Sequence, residues 1–452
     1  MSGPSEPSLR DHRVERNRRL SRNVRVGIAG RAANALLALA TVPILIRLLG
    51  AERYGIYVTI TVVLGWIQLG IFGTGKGLVN TLIGAHARGD EAEARRSLWS
   101  FWAGLAAVVG GVGLLAAAVF PFIPWTVVFP LPAGITEREL SATIALSLVF
   151  TLLALALSPV TYVFSAYQDD HKATAFSVVR NGATLAALGA VFAAGASMPR
   201  VALAVGSANL AASLGGVVWL LARDKPFLRA RAGDVRWDHL RRAVGPTLTF
   251  FTIDAAALLA YQADKLLILQ FAGARAVAAF EMASIPFLLA QSVFGVVLQP
   301  MWPALGDAVR RGDESWARGA LGRLARWSTL GMLGVTALAV AAGPAAIRIW
   351  AGTPEVVPAR TLLALVGAYY VVRTFTECHT IVLFSLDRQR EMVLAVIANG
   401  VLTVALGIAL GRAYGLPGVA LSNVLALTAT QAIAVPMRAR RRLAALAAAA
   451  PR

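Results

Sequence analysis

Two short stretches of this chain are nearly identical: RGDEAEARR at residues 88–96 and RGDESWARG at residues 311–319. They lie 223 residues apart, and the same shift places LLGAERYGIY (48–57) on FAGARAVAAF (271–280). A third block, YQDDHK at 167–172, matches SLDRQR at 385–390, which is a shift of 218. Blocks that match in the same order at nearly one offset predict that the chain contains two copies of one structural unit.

The composition predicts that each copy is a bundle of membrane helices. Hydrophobic residues make up 57% of the 452 residues and charged residues only 15%, whereas a soluble domain has about 25% charged residues. The apolar residues occur in runs long enough to span about 30 Å of hydrocarbon as helices. Twelve spans are predicted, at residues 26–48, 56–84, 98–120, 141–166, 173–196, 201–222, 243–271, 276–304, 327–350, 359–385, 392–411 and 415–437.

The distribution of basic residues predicts the orientation of these spans. The termini and the alternate loops that twelve spans place on one side hold 31 of the 43 Lys and Arg residues. Basic loops favour the cytoplasm, so both termini are expected there. The predicted all-α organisation is a basic N-terminal segment, a six-helix bundle, a cytoplasmic connector, a second six-helix bundle of parallel topology and a basic tail, at residues 1–23, 24–222, 223–242, 243–437 and 438–452.

Several other classes of function are disfavoured by the sequence. The net charge of +19 follows the loop pattern, so nucleic acid is not expected as a partner. Cys378 is the only cysteine, and no paired-histidine cluster or catalytic Ser–His–Asp order recurs, so no enzyme activity, metal site or cofactor is expected. GIFGTGKG at 70–77 begins like a nucleotide-binding loop but has Gly77 where Ser or Thr is required.

Three stretches carry a resemblance to a known family: VPILIRLLGAERYGIYVTITVVLGWIQLGIFGTGKGLVN (42–80), the AHARGDEAEARR that closely follows it, and VFSAYQDDHKATAFSVVRNGATLAALG (163–189). The chain resembles the multidrug/oligosaccharidyl-lipid/polysaccharide (MOP) exporter superfamily, and is most similar to its O-antigen flippase-like branch. The resemblance implies a two-lobed, MATE-like transporter that moves a polyprenyl-diphosphate-linked oligosaccharide across the bacterial inner membrane. It implies a polysaccharide polymerase and glycosyltransferases as further partners. Residues 26–46 lack the acid that drug exporters often carry in the first helix.

Polar residues within the N-terminal spans are candidates for a substrate cavity, because an ionisable group inside a membrane usually faces a cavity or a partner. In the first span these are Arg31 and Asn34, and Arg31 could instead reach the headgroups. Lys76 lies in the middle of the second span. In the fifth span Arg180 and Asn181 lie at helical spacing with other polar residues, and Arg180 is also within reach of the cytoplasmic surface.

The C-terminal spans carry candidates for both substrate binding and ion coupling. Asp254, Tyr261 and Lys265 lie on one stripe of the seventh span, which is either a cavity wall or an Asp–Lys pair that stabilises packing. In the tenth span Arg373 and Glu377 can pair at i, i+4. Asp254 and Glu377 are the candidates for ion coupling.

Two further acids are expected near the outer ends of their helices. Asp264 points about 100° away from Lys265 around the helix and is expected to be solvated, and Glu281 is expected at the outer rim. If the mid-span cations face inward they outnumber the acids, and a positive cleft suits a diphosphate headgroup. The sequence leaves open a cation-coupled multidrug exporter and a flippase for the lipid-linked peptidoglycan precursor.

Overall fold

A computed structural model describes residues 9–236, 238, 263–310, 313–386 and 388–449. These residues form helices joined by short loops, and no strand occurs among them. The helices are α1 Leu9–Arg88, α2 Glu91–Val119, α3 Trp125–Val128, α4 Glu137–Ala156, α5 Pro159–Ala166, α6 Asp170–Ala194, α7 Met198–Trp219, α8 Asp264–Ala272, α9 Ala274–Arg310, α10 Glu314–Ala351, α11 Arg360–Ser385, α12 Val393–Tyr414, α13 Leu416–Leu427 and α14 Ile433–Ala449.

The helices agree with the predicted membrane class. Within the described ranges, nine helical segments are long and apolar enough to cross a membrane. The prediction of an all-α, multi-pass membrane protein is therefore confirmed for this part of the chain. The count of twelve spans stays a prediction, because most of the seventh predicted span lies outside the described residues. The orientation of the termini also stays a prediction.

The duplication inferred from the sequence is visible in the backbone. Gly50 interrupts α1 with φ 73° and ψ 168°, and its repeat equivalent Gly273 separates α8 from α9 with φ 85° and ψ 172°. Only glycine adopts this region of φ and ψ readily. Asp90 accepts a hydrogen bond from the Glu93 backbone N–H at the start of α2, and the equivalent Asp313 caps α10 in the same way. The repeated sequence blocks thus form the same turns and caps.

By its contacts the chain divides into two compact units. Unit 1 comprises Met1–Ile44, Ile71–Ile123 and Thr143–Leu248, and unit 2 comprises Leu45–Gly70, Pro124–Ala142 and Thr249–Arg452. These units differ from the predicted bundles at 24–222 and 243–437. The segments around Gly50 and α3 make their contacts with the C-terminal part of the chain, so they group with unit 2.

An ion network in unit 1 joins the loop before α6 to the turn after α7. The Asp169 carboxylate accepts hydrogen bonds from Lys172 Nζ at 3.0 Å and Lys225 Nζ at 2.9 Å, and Lys172 also pairs with Asp224. Burial raises the pKa of Asp169, but the two lysines more than offset that effect and hold the pKa below its ordinary value. The network fixes the ends of two membrane helices to each other.

Candidate functional site

The polar side chains within the apolar helices form separate groups in the two units. In unit 1 the group joins α1 to α6. Asn181 Nδ2 donates to Asn34 Oδ1 at 2.9 Å, and Ser177 Oγ donates to the same oxygen at 3.3 Å. These hydrogen bonds satisfy polar groups that would otherwise be costly among apolar side chains. The structure therefore brings together two of the residues that the sequence predicted separately.

Arg180 lies beside this group with its side chain exposed. Its Nη2 is 3.5 Å from Ser177 Oγ, and no carboxylate of the described residues lies within ion-pair distance of its guanidinium. A guanidinium presents several N–H donors in a plane, which suits the oxygens of a phosphate. Of the predicted cations whose side chains are described, Arg180 is thus the one without an acidic partner in the described ranges.

In unit 2 Lys265 and Glu281 form an ion pair across a helical hairpin. Lys265 Nζ lies 2.6 Å from Glu281 Oε2, and the exposed fractions of the two side chains are 14% and 20%. The two residues are equally far along the chain from the turn at Gly273, so they face each other in an antiparallel hairpin. At 1.5 Å per residue the pair lies about 12 Å along the helices from the turn, and Glu281 belongs to the segment Ala274–Gly295, which is long and apolar enough to cross a membrane.

The structure corrects the expectation that Asp264 is solvated. Asp264 is buried, with an exposed fraction of 9%, because α8 packs against α13, whose Asn423 Nδ2 donates to Asp264 Oδ2 at 3.3 Å. Asn423 Oδ1 is also buried and has no hydrogen-bond partner among the described residues. A buried carboxylate beside an amide with one unused polar atom is an arrangement that can accommodate a bound proton.

The predicted i, i+4 pair of α11 is present. Arg373 Nε lies 2.9 Å from Glu377 Oε1, and Gln291 Nε2 of α9 donates to Glu377 Oε2 at 2.6 Å. The Tyr370 ring stacks on Phe287 of α9, and the Arg373 guanidinium lies 6.0 Å from the Tyr370 ring. The Arg373–Glu377 pair therefore packs against α9, the helix that also carries Glu281, and the position of Glu281 near the outer rim stays a prediction.

Four candidates stay untested by the structure. Asp254 and Tyr261 lie outside the described residues. Arg31 and Lys76 belong to α1, but their side chains are outside the described part of the structure. Their proposed place in a cavity is therefore a prediction from the sequence alone.

Three partners of these charged residues were not predicted from the sequence: Glu281 for Lys265, Asn423 for Asp264 and Gln291 for Glu377. The sequence could have predicted the Lys265–Glu281 pair, because both residues lie at equal distance along the chain from the glycine turn. Asn423 gave no such indication, since it lies 159 residues from Asp264 and looks like an ordinary polar residue of an apolar helix.

Comparison with known proteins gives a family match and several solved structures of similar fold. The model of a family described as polysaccharide biosynthesis protein matches residues 20–309. An inward-facing multidrug resistance MATE family transporter of the MOP superfamily is similar, with a TM-score of 0.75 at 14% identity over 93% of this chain and 96% of that chain. No curated protein sequence gives a match.

Two further solved structures share the fold. The lipid II flippase MurJ in an inward closed conformation has a TM-score of 0.70 at 12% identity, over 93% of this chain and 90% of that chain. A MOP superfamily transporter from Pyrococcus furiosus has a TM-score of 0.62 at 15% identity, over 94% and 93% of the two chains. These solved structures show that the chain has the fold of MOP superfamily transporters, as the resemblance in the sequence predicted.

Proposed function

Because the chain belongs to the polysaccharide biosynthesis protein family of the MOP superfamily, we propose that it flips a polyprenyl-diphosphate-linked oligosaccharide across the bacterial inner membrane. The family match over residues 20–309 is the observation that carries this proposal. Transport would proceed by alternating access within the bilayer and would supply surface polysaccharide synthesis. A polysaccharide polymerase and glycosyltransferases would act before and after the flippase.

The chemistry of unit 1 supports an anionic headgroup as the part of the substrate that is recognised. Arg180 is exposed and has no acidic partner in the described ranges, and the amide groups of Asn34 and Asn181 lie next to it. Diphosphate oxygens accept hydrogen bonds from all of these group types. Arg31 and Lys76 remain proposed members of the same binding surface.

The charges of unit 2 favour a coupling role over simple attraction of an anion. Lys265 and Arg373 are paired with Glu281 and Glu377, and Asp264 adds a third acid to this group. A cation held by a carboxylate can bind the diphosphate only if it exchanges partners. Protonation of the carboxylate would permit that exchange, so ion coupling and substrate binding would be linked in this unit.

The Arg180→Ala variant tests the headgroup contact. A charged hydrogen bond contributes about 1.5–3 kcal/mol, so losing it should weaken substrate binding roughly ten- to a hundredfold. Surface polysaccharide is measured in cells whose only copy of the gene carries the change, at matched protein level. Arg138→Ala is the matched control, because Arg138 is an exposed arginine at the start of α4. Equal polysaccharide display by the two variants would remove Arg180 from the substrate site.

The same cells separate the alternative functions. Efflux of a cationic dye that depends on the protein, with no effect on polysaccharide, would favour a multidrug exporter. Loss of peptidoglycan synthesis, with unchanged surface polysaccharide, would favour the lipid-linked peptidoglycan precursor, whose diphosphate headgroup obeys the same chemistry. Loss of surface polysaccharide alone is the result that we expect.

A further inference from the structure

The two equivalent glycine turns, at Gly50 and Gly273, touch each other within unit 2. Arg275 Nη2 lies 2.9 Å from Glu52 Oε1, and these residues hold the same position in the two copies, since the repeat shift is 223. The same repeat position is thus an acid, Glu52, in the first copy and a base, Arg275, in the second. A contact between a residue and its own repeat equivalent is expected where two related copies meet at a common axis, so the duplicated turns meet each other directly.

The backbones approach so closely here that a side chain is excluded. A Cβ atom on Gly55 would lie 1.9 Å from the backbone oxygen of Ala274, which is far inside van der Waals contact. Gly55 is therefore required for the first turn of one helix to lie against the first turn of the other.

The helix that follows the first turn is covered on all sides. Every residue from 54 to 60 is buried, and seven consecutive residues span nearly two helical turns. Tyr54 has an exposed fraction of only 2%. This stretch thus packs inside protein and not against lipid, and water cannot reach it in this conformation.

A third segment, residues 134–139, contacts the first glycine turn through Arg53. Arg53 Nε lies 3.1 Å from Glu139 Oε1, and Arg53 Nη2 donates to the Gly134 carbonyl at 2.8 Å. The Glu52–Arg275 pair is exposed, with exposed fractions of 36% and 58%, and an exposed ion pair contributes little stability. The contact therefore combines a precise backbone fit with weak polar links, and weak links are easily reversed.

We propose that this contact, the outer lock formed by Glu52, Gly55, Ala274 and Arg275, holds the outer side of the transporter closed and separates whenever that side opens. The proposal rests on the proposed function, because a transporter with alternating access needs a reversible barrier on each side of its substrate. It adds which residues form the barrier and why the two copies meet there.

Cysteine labelling from outside the cell tests the outer lock. The single native cysteine is replaced by Cys378→Ser. The reporter is Thr59→Cys, because Thr59 is fully buried one turn beyond Gly55 and cysteine is close to threonine in size. Gly55→Ala should raise the rate of labelling by an impermeant maleimide about tenfold, as expected for a tenfold larger open population. Gly65→Ala is the control, because a Cβ at Gly65 of the same helix meets no atom within 4 Å.

Charge reversal provides a second, milder test. Glu52→Arg and Arg275→Glu should each raise labelling, and the double variant should return it towards the wild-type rate. Equal labelling of Gly55→Ala and Gly65→Ala would overturn the outer lock. If Gly55→Ala does not fold, the charge series decides alone, and unchanged single variants or no recovery in the double variant would overturn it. Labelling needs no substrate, so a wild-type protein that flips no oligosaccharide would refute the proposed function without affecting this result.

Discussion

At the scale of single residues, Asp264 is the buried acid whose surroundings fit a proton best. The neighbouring amide of Asn423 can donate to the carboxylate, as it does here, or accept from the carboxylic acid after a flip. Both protonation states therefore find a partner without movement of a helix. Asp254, the acid that the sequence favoured, stays a second candidate that lies outside the described residues.

The Asp264→Asn variant should bind substrate normally but lose transport driven by a proton gradient. The amide has nearly the shape of the carboxyl group but cannot take up and release a proton near neutral pH. Substrate-dependent protection from unfolding reports binding, and flux into proteoliposomes with and without a gradient reports coupling. Asp254→Asn is measured beside it. A variant at Asp264 that keeps full gradient-driven flux would exclude this residue from coupling.

The Lys265–Glu281 pair makes a prediction about stability. Removing one partner of a mostly buried pair leaves a charge without compensation, which costs about 3 kcal/mol. Lys265→Met should therefore lower the midpoint of thermal unfolding of the purified protein, and Lys265→Met with Glu281→Gln should restore most of the loss. Losses that simply add would show that the two side chains do not depend on each other.

At the scale of elements, turns and caps were predictable because each depends on a few adjacent residues. The repeated RGDE blocks predicted equivalent local structure in the two copies, and Asp90 and Asp313 do cap α2 and α10 in the same way. The spacing of Arg373 and Glu377 predicted their pair for the same reason. Contacts between distant helices, such as Asp264 with Asn423, leave no local pattern, so only the packing of α8 on α13 reveals them.

The network around Asp169 predicts how stability depends on pH. Because the pKa of Asp169 in the folded protein is below its ordinary value near 4, the network contributes stability above that value and loses it as pH falls through the folded pKa. Thermal unfolding in detergent should therefore show an acid-dependent loss that Asp169→Asn reduces. An identical pH profile for wild type and Asp169→Asn would show that the network contributes nothing measurable.

At the scale of the whole molecule, the duplication and the charge pattern together predict the topology. Cysteines at Gly89 and Gly312, in the Cys378→Ser background, should be labelled only from the cytoplasmic side, because both lie in the equivalent basic loops. A cysteine at Gly134 should be labelled only from outside, and it is a matched control because Gly89 and Gly134 both have positive φ. Labelling of Gly89 or Gly312 from outside intact cells would contradict the parallel arrangement of the two copies.

The duplication also shows where sequence reasoning stops at this scale. The repeat offset predicted equivalent turns, but it did not predict that residues 45–70 and 124–142 would group with the C-terminal part of the chain. That grouping follows from the close approach of Gly55 to Ala274 and from the hydrogen bonds that Gln270 donates to the carbonyls of Val127 and Val128. Both depend on the packing of separate helices, and the hydropathy of a single span does not indicate which other helices pack against it.

The central claim is that this protein moves a lipid-linked oligosaccharide across a bilayer, and translocation itself is the most direct measurement. The purified protein is reconstituted into vesicles that contain a polyprenyl-diphosphate oligosaccharide, and the fraction exposed on the opposite leaflet is measured with an impermeant sugar-modifying reagent. Wild-type protein should transfer the lipid across the bilayer, and Arg180→Ala should transfer it roughly ten- to a hundredfold more slowly. Transfer no faster than in protein-free vesicles, under a proton or sodium gradient of either direction, would contradict the claim.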